Sequence, residues 1–256
     1  MLEGLVTESL LVRISLIALI PFAATVFGSL IIFVNYRFGE VGLDFGLGFA
    51  AGVMIYVTFV NLLIPSIDYG GIVNSLTGFA VGVALVKVLD VLIPHTRLIR
   101  APGGSKDRRA VARVVLIALA IAIHNIPEGL AVGSSSVYSL SDGFAVSLAI
   151  ALQDVPEGLA VAVPVANYSK SAFKGFLVGA FSGFTEYLAA FIALVAVLDY
   201  EILTPFMMAV SAGAMVYIVI HEIVPEVFGH EHDEPATLGF FLGLLLVMVL
   251  SSSGYV

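Results

Sequence analysis

Cysteine and tryptophan are both absent from this sequence, and charge is scarce: charged residues fill 12% of its 256 positions. Without cysteine there is no disulfide scaffold, no thiol nucleophile and no thiolate metal site. Without tryptophan, any aromatic belt at a membrane surface falls to tyrosine and phenylalanine. An average soluble domain carries roughly 25% charged residues to cover its solvated face. Half of that cannot clothe a water-soluble globule of this length. The net charge of −8 argues against a nucleic-acid partner. What is present is apolar: 60% hydrophobic residues and a mean hydropathy of +1.08. The chain reads as an all-α polytopic membrane protein with the lipid bilayer as its main partner.

A bilayer core of about 30 Å needs about 20 apolar residues per helix. Eight such runs are expected, over about 10–34, 43–65, 72–95, 111–135, 143–166, 172–198, 203–227 and 236–253. Short linkers with turn chemistry separate them, such as Asp68-Tyr69-Gly70-Gly71 and Ala101-Pro102-Gly103-Gly104. The first run has no basic n-region or cleavage site, so it reads as span 1 rather than a signal peptide. Basic residues mark alternate loops: Arg37 after span 1, Arg97, Arg100, Lys106, Arg108 and Arg109 of the loop 96–110 with nearby Arg113 after span 3, and Lys170 and Lys174 after span 5. The other loops hold Asp68, Asp142, Asp199 and Glu201 without Lys or Arg. Positive loops stay cytoplasmic, so with an even span count both termini lie outside.

Two repeats run through the chain. Ala51-Gly52-Val53-Met54-Ile55-Tyr56 in span 2 matches Ala212-Gly213-Ala214-Met215-Val216-Tyr217 in span 7. After a one-residue slip, Asn61 to Pro65 parallels His221 to Pro225, and Gly78-Phe79 with Gly82 matches Gly239-Phe240 with Gly243. Spans 1–3 (about 10–95) and 6–8 (about 172–253) read as two copies inserted in opposite senses around spans 4–5 (about 111–166). This is a 3+2+3 inverted repeat, a device of transporters with midplane sites. The second repeat sets His124-Asn125-Ile126-Pro127-Glu128-Gly129 in span 4 against Gln153-Asp154-Val155-Pro156-Glu157-Gly158 in span 5.

A carboxylate at the bilayer centre costs at least about 2.5–3.5 kcal/mol. The chain nevertheless places Glu128, Asp154, Glu157, Glu186 and Glu222 in spans, with Asn125, His124 and His221. Shared protons or a bound divalent cation would offset their repulsion. Imidazoles without thiolates suit zinc, iron or manganese. His124 and Glu128 are four apart and Asp154 and Glu157 three apart, so each pair shares a helix face. Pro127 and Pro156 each free a carbonyl, of Ile123 and Leu152.

These residues carry a resemblance. His-Asn-x-Pro-Glu-Gly answered by x-Asp-x-Pro-Glu-Gly is similar to the Zrt/Irt-like (ZIP) family of divalent metal transporters, with Asp154 and Glu186 as in its prokaryotic GufA-like branch. The resemblance covers the whole chain and implies import of Zn2+, Fe2+, Mn2+ or Cd2+ as substrate through the cell (inner or plasma) membrane, with no organic cofactor. It implies a two-metal centre: His124, Glu128 and Glu157 with Met54 as a soft ligand at one site, Asn125, Asp154 and Glu186 at the other, and Glu128 and Glu157 bridging. It makes His221 and Glu222 residues of the pathway, and the internal repeat adds Asn61 of span 2 to them. A homodimer is a candidate assembly.

One departure is the loop after span 3, which is basic where many members are His-rich. A cluster of His230, His232, Asp233 and Glu234 lies instead between spans 7 and 8, where it either receives metal or forms a solvated acidic turn. Alternating access is expected from spans 4 and 5, with 1 and 6, moving against a scaffold of span 2 with 3 and span 7 with 8. The alternatives are a channel-like pore or metal sensor on the same fold, and an intramembrane metalloprotease prompted by His221-Glu222. The last lacks its second ligand, because Pro225 stands where His-Glu-x-x-His needs histidine.

Overall fold

The computed structural model describes residues 2–34, 39–92, 123–198, 200–227 and 233–253, and these are helical nearly throughout. In a hydrocarbon solvent each backbone polar group must find its partner within the segment, which selects helices. α1 is Leu2–Leu30, closed by a tight turn at Ile31–Phe33. α2 runs Glu40–Tyr56, widens at Val57–Leu63 and resumes over Ile64–Gly70. α3 is Ile72–Leu92, α4 is described over 123–138, and α5 is Leu140–Ser169. α6 is Ala172–Leu198. α7 runs Thr204–Ile218, widens at Val219–Ile223 and ends with Val224–Val227, and α8 is Asp233–Ser252. Among the described residues, seven of these helices are long and apolar enough to cross a membrane. The expected span 4 begins at about 111, outside the described residues, as does the basic loop 96–110.

The connections are tighter than the sequence suggests. Asp68, Tyr69 and Gly70 belong to α2, which leaves Gly71 alone as the turn into α3. Its φ of 78° is left-handed, a conformation open to glycine without strain. Ser139 alone joins α4 to α5, and its side chain caps α5 by accepting from the Asp142 amide at 3.2 Å. Asp233 and Glu234 form the first turn of α8 rather than a loop. Two acidic side chains there complement the helix dipole. His230 and His232 lie outside the described residues.

The two widened turns were not expected. Each is a short π-type stretch directly ahead of a proline, Pro65 in α2 and Pro225 in α7. Proline has no N–H to give and its ring presses on the carbonyl four residues back. A wider turn relieves that clash locally. Pro21, Pro156 and Pro164 by contrast lie in helices that stay regular.

Packing divides the helices into two groups. In the first, α1 lies against α5 and α6, and α5 against α6. Gly129 and Gly133 bring α4 onto the α6 backbone at Glu186 and Ala190. Ser147 of α5 donates to the Ile17 carbonyl of α1 at 2.8 Å. In the second group α2 packs on α8 and α3 on α7. The four expected scaffold spans do gather, but their close pairs are crossed: 2 with 8 and 3 with 7. The cause is visible in the stripes. Ser75, Gly78, Gly82 and Val86 are the buried line of α3, and Ala236, Gly239, Gly243 and Val247 that of α8. Gly82 abuts the Val210 carbonyl of α7, and Gly243 the Phe49 carbonyl of α2. Small residues let membrane helices approach this closely. The α2–α5 contact joins the groups.

Candidate metal centre

The two Pro-Glu-Gly motifs lie on the two arms of the α4–α5 hairpin, and the structure brings them together. His124, Glu128 and Glu157 each offer one ligand atom, all within 4.8 Å of one another; Glu128, Asp154 and Glu186 do the same. Glu128 belongs to both groups, whereas Glu157 belongs to the first. The His124 Nε2 is 3.8 Å from Glu157 Oε1. Glycines set these positions. A side chain at Gly129 would run into the Glu186 backbone carbonyl, and one at Gly158 into that of Thr25 in α1. The absence of a side chain at each lets α6, which brings Glu186, and α1 approach the motifs this closely.

The centre is dry. Glu128 is 0% exposed, Asp154 and Glu186 1%, and Glu157 6%. Four buried carboxyl groups in a low-dielectric interior repel one another strongly unless protons or cations intervene. Glu128 Oε2, Glu157 Oε2 and both carboxyl oxygens of Asp154 and Glu186 are buried without a hydrogen-bond partner. So is His124 Nε2. Buried polar atoms of native proteins are nearly always satisfied, and this set of oxygens and one imidazole nitrogen is the donor chemistry a borderline divalent metal takes.

The remaining sequence candidates divide. Asn125 is buried beside the centre, and its Oδ1 accepts from Ser182 of α6 at 3.0 Å. Glu222 reaches across from the second helix group, with its Oε2 3.7 Å from His124 Nδ1. Its neighbour His221 instead stacks on Tyr217, ring centroids 4.9 Å apart, on an exposed face. Met54 is fully buried in the main apolar cluster with Ala149, Ile150, Met208 and Met215. Asn61 stands in the widened turn of α2, with its Oδ1 buried and unpartnered.

Two residues escaped the sequence reading. Gln153 is fully buried and donates its Nε2 to Glu128 Oε1. Ser182 fixes Asn125. The signal for Gln153 was the motif alignment, which sets it opposite His124. Ser182 is one turn before Glu186, a spacing with no chemical signature of its own.

A cavity of about 380 Å³ lies where α2, α5 and α7 meet, lined by Glu40, Asp44, Asn167 and Glu226 among apolar neighbours. Glu226 is one helical turn past Glu222, and Ala160, also on its wall, is one turn past Glu157.

Comparisons with known proteins agree with this chemistry. Residues 100–251 match the family described as ZIP Zinc transporter. The chain is 35% identical over 266 residues to a zinc transporter ZupT of Chlorobaculum parvum, covering 96% of this chain and 98% of that protein. It is 34% identical over 242 residues to the zinc transporter ZIPB of Bordetella bronchiseptica, covering 91% and 78%. A ZupT of Streptococcus mutans is 35% identical over 243 residues, covering 88% and 91%. These relatives are named for transport rather than catalysis. A family match over more than half the chain, joined to relatives aligned nearly end to end, places this multi-pass membrane protein in the ZIP zinc transporter family.

Proposed function

We propose that the protein imports divalent metal ions, zinc foremost, across the inner or plasma membrane through a binuclear site between α4 and α5. The observation that carries this is the pair of overlapping ligand triads sharing Glu128, buried and rich in unpartnered oxygens. His124, Glu128 and Glu157 form the transport site, and Asn125, Asp154 and Glu186 the accessory one. Met54 as a soft ligand rests on family resemblance. Fe2+, Mn2+ and Cd2+ fit the same nitrogen and oxygen set less selectively.

Transport proceeds by alternating access in a 3+2+3 inverted repeat with both termini outside. Matched contacts support the repeat: Gly52 lies on Phe240 as Gly213 lies on Phe79, and Gly78 on Phe206 as Gly239 lies on Phe45. In that orientation the acidic cavity opens to the cytoplasm, and Glu222 and Glu226 lead the ion toward it. Met54, Ile150, Met208 and Met215 then seal the outer side. The group α1, α4, α5 and α6 carries the metal past the other four helices.

Metal uptake into proteoliposomes, with competing cations and at two pH values, tests the reading. Saturable zinc uptake with cross-competition is the expected result. Flux that rises linearly with concentration would favour a pore, and absent flux would remove transport altogether.

A further inference from the structure

α1 meets the metal centre at Thr25. This residue is 1% exposed, and its hydroxyl donates to the Pro21 carbonyl one turn back at 3.0 Å. A threonine bonded in this way points its side chain toward the N-terminus of its helix. The contacts of α1 show what stands on that side. Ile17 meets Ser147 and Thr25 meets Gly158, so α1 and α5 run the same way. Ser29 meets Gly179 and Thr25 meets Gly183, so α6 runs the opposite way. Asp154 is one turn before Gly158 and Glu186 one turn after Gly183, and both therefore lie on the N-terminal side of Thr25. A Cβ at Gly183 would come 3.2 Å from Thr25 Oγ1. The same oxygen lies beside the Asp154 carboxyl without bonding it.

The arrangement sets oxygen against oxygen. A threonine hydroxyl has one proton and two acceptor sites. Thr25 directs its proton to Pro21, so it presents only lone pairs to the triad of Glu128, Asp154 and Glu186. Both carboxyl oxygens of Asp154 and Glu186 are unpartnered, and Glu128 Oε2 is too. Acceptors cannot satisfy one another in a dry interior, and a cation among them satisfies them all. The motif glycines point to the same role. Gly129 is seated on the Glu186 carbonyl and Gly158 on that of Thr25, so Thr25 holds in α1 the place that Glu186 holds in α6. We propose that the Thr25 hydroxyl is a further oxygen ligand of the divalent cation held by Glu128, Asp154 and Glu186. This rests on the binuclear reading above.

The added ligand changes what the accessory ion does. With Thr25 the site takes donors from α1, α4, α5 and α6, which together make up the first helix group. The ion then ties those four helices to one another at a single point. The other triad contains His124, which touches Glu222 of the second group. One ion thus braces the group, and the other sits where the two groups meet.

The absence of cysteine supplies the test. Thr25→Cys puts a thiol of similar size where the hydroxyl stands, and a thiolate bound to Cd2+ shows a sulfur-to-metal charge-transfer band in the ultraviolet. The full chain in detergent is titrated with Cd2+, with absorbance and bound metal followed together. The band should grow with one of the two bound ions and saturate with it. Ser147→Cys, at the same α1–α5 interface but two turns from Asp154, should bind two ions and show no band. Thr25→Val keeps the shape and loses the hydroxyl. It should weaken one of the two zinc sites by about tenfold or more, as loss of a residue that supports a metal site does. Thr25→Ser should bind both ions as the parent does, and Thr25→Ala replaces the valine variant if that one unfolds. Two cadmium ions bound to Thr25→Cys without a band, or two zinc sites of parental affinity in Thr25→Val, overturn the ligand and leave the binuclear centre standing. A parent that binds a single ion overturns both.

Discussion

The Nδ1 of His124 lies 3.7 Å from the Glu222 carboxylate, so the histidine of the α4–α5 centre is already in touch with α7. The two residues belong to different helix groups. In the proposed mechanism their contact is the point at which binding and movement meet.

Glu128 carries the first prediction, since its carboxylate serves both triads. Glu128→Ala should lower zinc uptake to below about a tenth of the parent while the protein still inserts and purifies as a single species. Without Glu128 both triads lose their shared oxygen donor, and a divalent metal of this class is held by its nitrogen and oxygen ligands. Uptake near the parental rate from well-inserted protein would remove the proposed centre.

A second prediction separates the two sites. The variant carrying Asn125→Ala, Asp154→Ala and Glu186→Ala loses the accessory ligands but keeps His124, Glu128 and Glu157. Equilibrium dialysis with elemental analysis should find about one zinc fewer per chain, with transport retained. Unchanged stoichiometry argues that the triads hold a single ion.

The third concerns Glu222. Glu222→Gln keeps the shape of the side chain and removes the charge facing His124. The expected result is a fall in maximal transport rate with an unchanged or lower apparent KM, the pattern of a step after binding. A rise in KM at constant maximal rate would make Glu222 a binding ligand instead.

Much of this fold was legible. The apolar runs gave the helices, and the three- and four-residue spacing of Ser75, Gly78, Gly82 and Val86 foreshadows the buried stripe of α3. The carboxylates stood out because charge in a span is costly. Other features were hidden for physical reasons. Similarity between repeats establishes equivalence, not partnership, so the crossing of α2 onto α8 and α3 onto α7 could not be read from it. Adjacent residues on a helix point about 100° apart, and the widened turn of α7 shifts that phase. The sequence therefore did not decide between His221 and Glu222. Gln153 was passed over because a neutral amide carries no charge to flag it.

The glycine contacts give a fourth prediction, on stability. A Cβ at Gly82 would fall onto the Val210 backbone carbonyl, while one at Gly39 meets nothing within 4 Å. Gly82→Val should destabilise the protein by about 1–3 kcal/mol, as overpacking does, seen as a lower midpoint in detergent thermal unfolding. Gly39→Ala should leave that midpoint within error. Equal midpoints for the two variants would mean that α3 and α7 do not pack as described.

The moving-group reading is tested by tying the groups together. An ideal Cβ at Gly46 of α2 comes 3.0 Å from the Pro156 Cβ of α5, so the helices need to part by about half an ångström or more to reach the roughly 3.5–4.5 Å that a disulfide spans. Gly46→Cys with Pro156→Cys should therefore cross-link one helix group to the other. Oxidation should stop zinc uptake, and reduction should restore it to the level of the same variant before oxidation, which controls for the substitutions themselves. The second pair lies within one group: Ser66 and Ser75 oppose each other across α2 and α3, their Oγ atoms 2.7 Å apart. Ser66→Cys with Ser75→Cys should cross-link as readily and leave uptake unaffected by oxidation. Because position 156 adjoins Glu157, zinc binding by the oxidised Gly46→Cys, Pro156→Cys variant is measured alongside uptake: retained binding with lost uptake assigns the block to the joining of the two groups. Continued uptake with the α2–α5 bond fully formed would show that the ion passes without relative movement of the groups, and the path would then be a fixed one.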